Sequence, residues 1–336
     1  MHGPALVVLD ARTTTPHMDE AEPPADEPTW NELRALADRI GGGGITVHPI
    51  TEKAQRVERA AGASAVILNK AALNNEDLAA LPKLRYIGLL STGTNAVDLE
   101  ECTRRGIAVT NVPAYSTPSV AQHIFALLLE LTNNVAAHNA EVQRGRWQHG
   151  DDFSFTVAPV HELAGRSLGV IGFGDIGQQT ADIGRALGMN VLVHSRTRRQ
   201  GPEHVPVRWL ELDDLLRESD AIALCCPLTP ATEKLINGER LALMKPTAYL
   251  VNASRGGLID EPALADALTR RALAGAGLDV LAEEPPRSGS PLIGLDNCLI
   301  TPHIAWASRA ARRRLVSIVA DNLRSWLNGG HQNRVA

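Results

Sequence analysis

The stretch Val170-Ile171-Gly172-Phe173-Gly174-Asp175-Ile176-Gly177 decides the fold. It sets a Gly-x-Gly-x-x-Gly turn directly after the apolar run Leu168–Ile171 and at the mouth of a helical pattern reaching about Leu187. Strand, glycine turn and helix in that order open a dinucleotide-binding domain. Gly172 can take the tight turn, Gly174 leaves room for a pyrophosphate against the backbone, and Gly177 lets the helix approach the strand. The free N–H groups of the first helical turn, at Asp175 and Ile176, and the helix dipole would then face the phosphates.

Outward from that turn the spacing repeats. Leu168–Ile171, Val191–His194, Ala221–Leu224, Ala248–Val251, Ala276–Leu278 and Leu299–Thr301 read as six strands separated by helices, as a doubly wound parallel sheet requires. Toward the start, Leu6–Leu9, Ile45–His48, Ala65–Leu68, Tyr86–Leu90 and Ala108–Thr110 make a second α/β series. Leu33, Leu36, Ala37 and Ile40 share one helical face behind Thr29, and the Gly41–Gly44 run ends that helix. The segment Thr13–Pro28, rich in Pro and acids, is expected to be a solvated loop. Pro118–Leu131 predicts an apolar helix, a polar one follows to about Arg144, and Ser308–Leu327 predicts an amphipathic terminal helix. A chain of 336 residues exceeds what one core usually serves, so two domains are expected.

Hydrophobic residues at 44% and charged residues at 21% are ordinary globular composition. A net charge of -5 offers no field to gather nucleic acid or an anionic membrane, so small-molecule chemistry is favoured and neither partner is expected. Cys102, Cys225, Cys226 and Cys298 show no Cys-x-x-Cys spacing; they read as reduced, buried thiols of a cytoplasmic protein, and no metal site is expected. The opening MHGPALVVLD lacks the basic-then-apolar pattern of an export signal.

Beyond the second strand of the glycine-turn domain an acid would bind both adenine-ribose hydroxyls and repel a 2′-phosphate. Here the residues are Ser195-Arg196-Thr197-Arg198-Arg199. Ser195 and Arg196 are therefore read as a 2′-phosphate site, with NADP(H) favoured over NAD(H); a solvated basic loop is the competing reading.

Reduction of a 2-keto acid by hydride needs a cation for the carboxylate, a proton donor for the developing alkoxide, and a group that keeps the donor protonated. Arg255 follows the apolar strand in Leu250-Val251-Asn252-Ala253-Ser254-Arg255-Gly256-Gly257, and its planar fork suits a carboxylate. His303 ends the strand in Ile300-Thr301-Pro302-His303-Ile304, and Glu284 precedes it in Glu283-Glu284-Pro285-Pro286. A carboxylate beside an imidazole stabilises its protonated form.

Taken together these motifs resemble the D-2-hydroxyacid dehydrogenases over nearly the whole chain. The resemblance is carried by Ser91-Thr92-Gly93-Thr94-Asn95, Val120-Ala121-Gln122-His123, the glycine turn, Pro227-Leu228-Thr229-Pro230, Arg255-Gly256-Gly257, Gly277-Leu278-Asp279-Val280, Glu284-Pro285 and Pro302-His303-Ile304. Thr110-Asn111-Val112-Pro113 and Trp306 make it closest to the glycerate dehydrogenase and hydroxypyruvate (glyoxylate) reductase branch. The resemblance implies an NAD(P)-dependent oxidoreductase acting on hydroxypyruvate/D-glycerate or glyoxylate/glycolate. It makes Arg255 the substrate clamp, Glu284 the partner of the general acid/base His303, and Thr92 and Gly93 the backbone cradle of the substrate carboxylate. Pro227, Thr232 and Asp279 would join the cofactor site, Asp279 at the nicotinamide carboxamide.

The architecture so implied is a Rossmann cofactor domain, residues 113–306, inserted in a flavodoxin-like substrate domain, residues 1–112, with 307–336 returning to the latter, a cleft at their junction, and a homodimer. Two positions depart from the family pattern. Cys225 stands where many members have histidine, and Ser195 where NAD-preferring members have an acid. Glutamine is usual at the Glu284 position in the related formate dehydrogenases, so Glu284 argues against that activity. A 3-phosphoglycerate or D-lactate dehydrogenase, and a dinucleotide-sensing corepressor without turnover, remain the alternatives.

Overall fold

Short aliphatic runs alternating with helices build two separate parallel sheets in the computed structural model, which describes residues 5–15, 28–41, 43–198 and 207–336. The chain divides into one unit of Met1–Ser116 with Ala307–Ala336 and a second of Thr117–Trp306.

The first unit opens with β1 (Leu6–Val8), α1 (Asn31–Gly41), β2 (Ile45–Val47), α2 (Arg56–Ala60) and β3 (Ala65–Leu68). It continues through α3 (Asn75–Ala79), β4 (Tyr86–Leu89), α4 (Leu99–Arg104) and β5 (Ala108–Thr110). The strands lie in the order β2-β1-β3-β4-β5, all parallel, which is the flavodoxin winding. Apart from β2 its strands are buried throughout, so they read as continuous apolar runs rather than alternating ones. Side-chain caps start the short helices: Asn74 and Asp98 accept from the backbone N–H of Asp77 and Glu101.

The second unit begins with two helices, α5 (Thr117–Asn133) and α6 (Val135–Gln143). Then come β6 (Ser167–Ile171), α7 (Asp175–Ala186), β7 (Asn190–His194), β8 (Arg208–Trp209), α8 (Leu212–Glu218) and β9 (Ala221–Leu224). The series closes with α9 (Gly238–Leu241), β10 (Tyr249–Asn252), α10 (Glu261–Thr269), β11 (Gly275–Leu278) and β12 (Cys298–Ile300). The sheet order is β12-β11-β10-β9-β6-β7-β8, again parallel. The winding reverses between β6 and β9, and that switch point is where such sheets open a crevice at their C-terminal edge. Apolar cores lie on both faces, one around Ile222, Leu250 and Leu264, the other around Ile124, Val170 and Val193.

The last helix, α11 (Arg309–Leu327), belongs to the first unit and starts at Ser308, whose hydroxyl accepts from Ala311 N–H. After it, Val335 N–H donates to Val109 O at 2.8 Å and Asn111 N–H to Asn333 O at 3.1 Å, so residues 333–336 cover the open edge of β5.

The anticipated strands are present, with ends within one residue of those read from the pattern. The pattern does not foresee β8, because two residues with one apolar side chain carry no period. The segment Thr13–Pro28 needs correction at both described ends, residues 16–27 lying outside the described residues. Thr14, Thr15 and Pro28 are buried rather than solvated, and at Thr14 the cause is α11, whose buried Arg312 donates to Thr14 O at 2.9 Å. Of the four free thiols only Cys102 is fully buried; Cys225, Cys226 and Cys298 are half-buried.

Candidate active site

Because the seven strands of the second unit are parallel, their C-terminal ends share one edge, and almost every chemically active candidate sits there. Past β6, Gly172 has φ +96 and donates its N–H to His194 O at 2.8 Å. A Cβ at that position would lie 2.6 Å from Cys226 N, so only glycine fits. One at Gly177 would lie 2.1 Å from Gly172 O, which is how closely α7 abuts the turn. At Gly174, the N-cap of α7, a Cβ would meet no protein atom within 4 Å. The turn is thus crowded from below and open above, with the first N–H groups of α7, including those of Asp175 and Ile176, unused by the helix. These features fit a pyrophosphate.

Past β7, Ser195 is half-buried, and Arg196 and Arg198 are exposed. Neither arginine pairs with a carboxylate among the described residues; Arg199 lies outside them. Past β9, exposed Pro227 begins a turn closed by Thr232, whose hydroxyl donates to Pro227 O at 2.8 Å and accepts from Thr229 N–H at 2.7 Å. Thr232 is therefore spent on the turn and can serve a ligand through the backbone it shapes. Burial pushes the Cys225 thiol up to about 12, which leaves it protonated and unreactive.

Past β10, Asn252 is fully buried and ties the turn: its amide donates to Arg255 O at 2.9 Å, and its carbonyl accepts from Ser254 N–H at 3.0 Å. Arg255 is exposed, with no carboxylate partner among the described residues. A Cβ at Gly256 would fall 1.9 Å from the carbonyl carbon of Leu281, so glycine here lets the Arg255 turn pack onto the segment leading to Glu284.

Glu284 and His303 meet: Nδ1 lies 2.5 Å from Oε2, with side chains 34% and 29% exposed. Leu281 N–H donates to the other carboxylate oxygen at 3.1 Å. His303 sits at φ 55, the left-handed region, which costs a residue with a Cβ on the order of 1 kcal/mol and needs support. Its N–H donates to Asp279 O at 2.8 Å.

Asp279, at the end of β11, is 1% exposed. Oδ1 accepts from Thr301 Oγ1 at 2.6 Å and Ile304 N–H at 2.9 Å, and Oδ2 from Ala305 N–H at 2.8 Å. Burial would raise its pKa, but the hydrogen bonds from His123, Thr301, Ala305 and Ile304 outweigh it and leave the carboxyl below its ordinary value.

Thr92 and Gly93 belong to the first unit. Ser91 Oγ donates to Gly93 O at 2.6 Å, Asn111 to Thr92 O at 2.8 Å, and Thr92 Oγ1 to Val112 O at 2.8 Å. The carbonyls of this loop are turned inward, and among the described residues no acceptor is found for the Thr92 and Gly93 N–H groups. Sequence reasoning missed Asn252, Ser119 and Thr301, which hold the candidate groups in place. A polar residue closing an apolar strand, in Leu250-Val251-Asn252 and in Leu299-Ile300-Thr301, signalled two of them; nothing local signalled Ser119.

Residues 125–305, more than half the chain, match the model of the D-isomer specific 2-hydroxyacid dehydrogenase NAD binding domain. A hydroxypyruvate reductase of Blautia hydrogenotrophica is 42% identical over 306 residues, 91% of this chain and 94% of that protein. A glycerate dehydrogenase of Methylorubrum extorquens is 37% identical over 83% of this chain and 87% of its own length. Among solved structures, the TT0316 protein of Thermus thermophilus superposes with a TM-score of 0.83 at 34% identity, covering 98% of this chain and 99% of that one.

Proposed function

We propose that this chain, which belongs to the D-isomer specific 2-hydroxyacid dehydrogenases, reduces small 2-keto acids, hydroxypyruvate or glyoxylate foremost, with NADPH preferred to NADH. The observation that carries the reading is the 2.5 Å contact of His303 with Glu284, on the same sheet edge as the exposed Arg255 and the glycine turn.

The glycine turn, with Ser195, Arg196, Pro227 and the Thr232 turn, holds the dinucleotide, which when bound supplies the hydride. Asp279, whose side chain is fully buried against loop 301–305, is assigned to the carboxamide end of the site through the loop that it holds. Arg255 binds the substrate carboxylate with one edge of its fork and polarises the adjacent carbonyl. In the first unit, the N–H groups of Thr92 and Gly93 are assigned to binding a carboxylate. As C2 takes the hydride, His303 Nε2 gives its proton to the carbonyl oxygen, and the product is the 2-hydroxy acid. Glu284 accepts Nδ1–H, which fixes the orientation of the ring.

NADPH preference is supported by the missing acid at Ser195 and by two exposed arginines without carboxylate partners among the described residues. A homodimer is supported by apolar side chains left in solvent along one stretch of the second unit: Val135, Trp147, Phe153 at 93% exposure, and Val160. Four free thiols suit a reducing compartment, and we assign the protein to the cytoplasm.

A spectrophotometric panel tests the function: hydroxypyruvate, glyoxylate, pyruvate and bulkier 2-keto acids with each dinucleotide. Glyoxylate and hydroxypyruvate should give the highest kcat/KM. Turnover confined to pyruvate or to bulky acids would overturn the substrate assignment.

A further inference from the structure

The proposed chemistry gives no role to His123, which stands beside Thr301 and Asp279. His123, on α5, places Nε2 2.9 Å from Thr301 Oγ1 and 3.4 Å from Asp279 Oδ1. Thr301 directs its hydroxyl hydrogen to Asp279 Oδ1 at 2.6 Å. A hydroxyl has only one hydrogen, so Thr301 must accept from His123, and Nε2 is the nitrogen that carries a proton.

The same helix grips this loop a second time, through Ser119 Oγ donating to Ala305 O at 2.6 Å. Asp279 holds it from below, taking Ile304 and Ala305 N–H on its carboxylate and His303 N–H on its backbone oxygen. Every residue from Thr301 to Ala305 except Pro302 is thus bonded to Asp279 or to α5. At the centre stands His303, in a left-handed conformation that no local preference of histidine would hold.

We propose that His123 is a positioning residue for His303: through Thr301 and Asp279 it holds loop 301–305 in the backbone conformation that sets the His303 imidazole against Glu284. The proposal rests on the reading of His303 as proton donor. His123 itself touches neither substrate nor dinucleotide. Its loss lets the loop relax and misplaces the donor, while the Arg255 clamp and the glycine turn stay intact.

The test compares His123→Ala, His123→Gln, Thr301→Val and His303→Ala in the full chain, reading kcat, KM for hydroxypyruvate, NADPH affinity by fluorescence, and thermal midpoint. His123→Ala should lower kcat by about ten- to a hundredfold, as a misplaced reacting group does, with KM and NADPH affinity within about threefold of the parent. Gln at 123 can present an amide N–H where Nε2 stood, and should bring kcat back to within about threefold. Thr301→Val keeps the shape, removes the relay, and should lower kcat without loss of folding.

A normal kcat in His123→Ala with only a lower thermal midpoint would reduce His123 to packing and overturn the proposal. So would a loss confined to NADPH affinity, or a kcat that Gln fails to restore. If His123→Ala does not fold, Thr301→Val decides by the same criteria. Should His303→Ala retain turnover, the proton-donor reading falls and the proposal with it. If His303→Ala is inactive while His123→Ala and Thr301→Val are normal, the positioning role alone is wrong.

Discussion

The ends of β10, β11 and β12 and the end of β7 lie on one edge of one parallel sheet, yet they are finished in opposite ways. Around the first three, polar groups hold the backbone: buried Asn252 ties the Arg255 turn, and buried Asp279 with half-buried Thr301 ties the His303 loop. Beyond β7, Ser195 is half-buried, and Arg196 and Arg198 extend into solvent without carboxylate partners among the described residues. The difference follows from what each end must do. Proton transfer slows by about a hundredfold when a donor is displaced by about 1 Å, so its loop is over-determined. Choice between two dinucleotides needs only charge of the right sign near a phosphate, which a loosely held arginine supplies.

Substitutions at the two ends should therefore behave differently. His303→Ala gives the largest effect, a fall in kcat of about 10²–10⁴-fold with dinucleotide binding retained, as expected for a lost general acid. Near-normal turnover would remove His303 from the chemistry. Arg255→Lys follows: a point charge cannot reproduce two parallel N–H bonds worth about 1.5–3 kcal/mol each, so KM should rise and kcat fall together. An effect on dinucleotide affinity alone would contradict the clamp.

At the loose end the expected change is one of preference rather than rate. Ser195→Asp should shift kcat/KM toward NADH, and Arg196→Ala should weaken NADPH by about ten- to a hundredfold, the worth of one charge-assisted contact. A parent enzyme that already prefers NADH would show the arginines to be a solvated loop.

Two smaller effects remain. Glu284→Gln removes the carboxylate that holds Nδ1–H of His303, so kcat should fall with dinucleotide affinity retained; an unchanged kcat would exclude Glu284 from the mechanism. The Asp279 carboxyl is depressed in the folded protein. Its stabilisation is therefore complete above the ordinary value of 3.8 and fades as pH falls through the depressed one. Asp279→Asn should lower the thermal midpoint near neutral pH and narrow that difference in acid, which paired melts at the two pH values would show.

Much of this was legible in the chain. The Gly172–Gly177 turn announced the second sheet, and the aliphatic runs located its strands because buried parallel strands are apolar on both faces. Glu284 and His303 could be named but not brought together, since nothing local states that residues 19 apart will meet. The burial of Thr14 depends on Arg312, 298 residues away, and no periodicity carries that. His123 was visible only as part of a family motif; its work shows once β11, β12 and α5 are packed. Residue 199 of the basic cluster lies outside the described residues; Ser195, Arg196 and Arg198 make up the described part of the cofactor end.

Direct transfer of hydride to C2 of a 2-keto acid is the central claim, and isotopic labelling tests it. The protein is incubated with hydroxypyruvate and NADPH carrying deuterium at the transferring face of C4, and the product is analysed by mass spectrometry. The account predicts glycerate with one deuterium, bound to C2, and about a hundredth as much or less in the His303→Ala reaction over the same time. Glycerate without deuterium, or no product although the dinucleotide binds, would contradict it, the second result leaving a dinucleotide-binding protein rather than an enzyme.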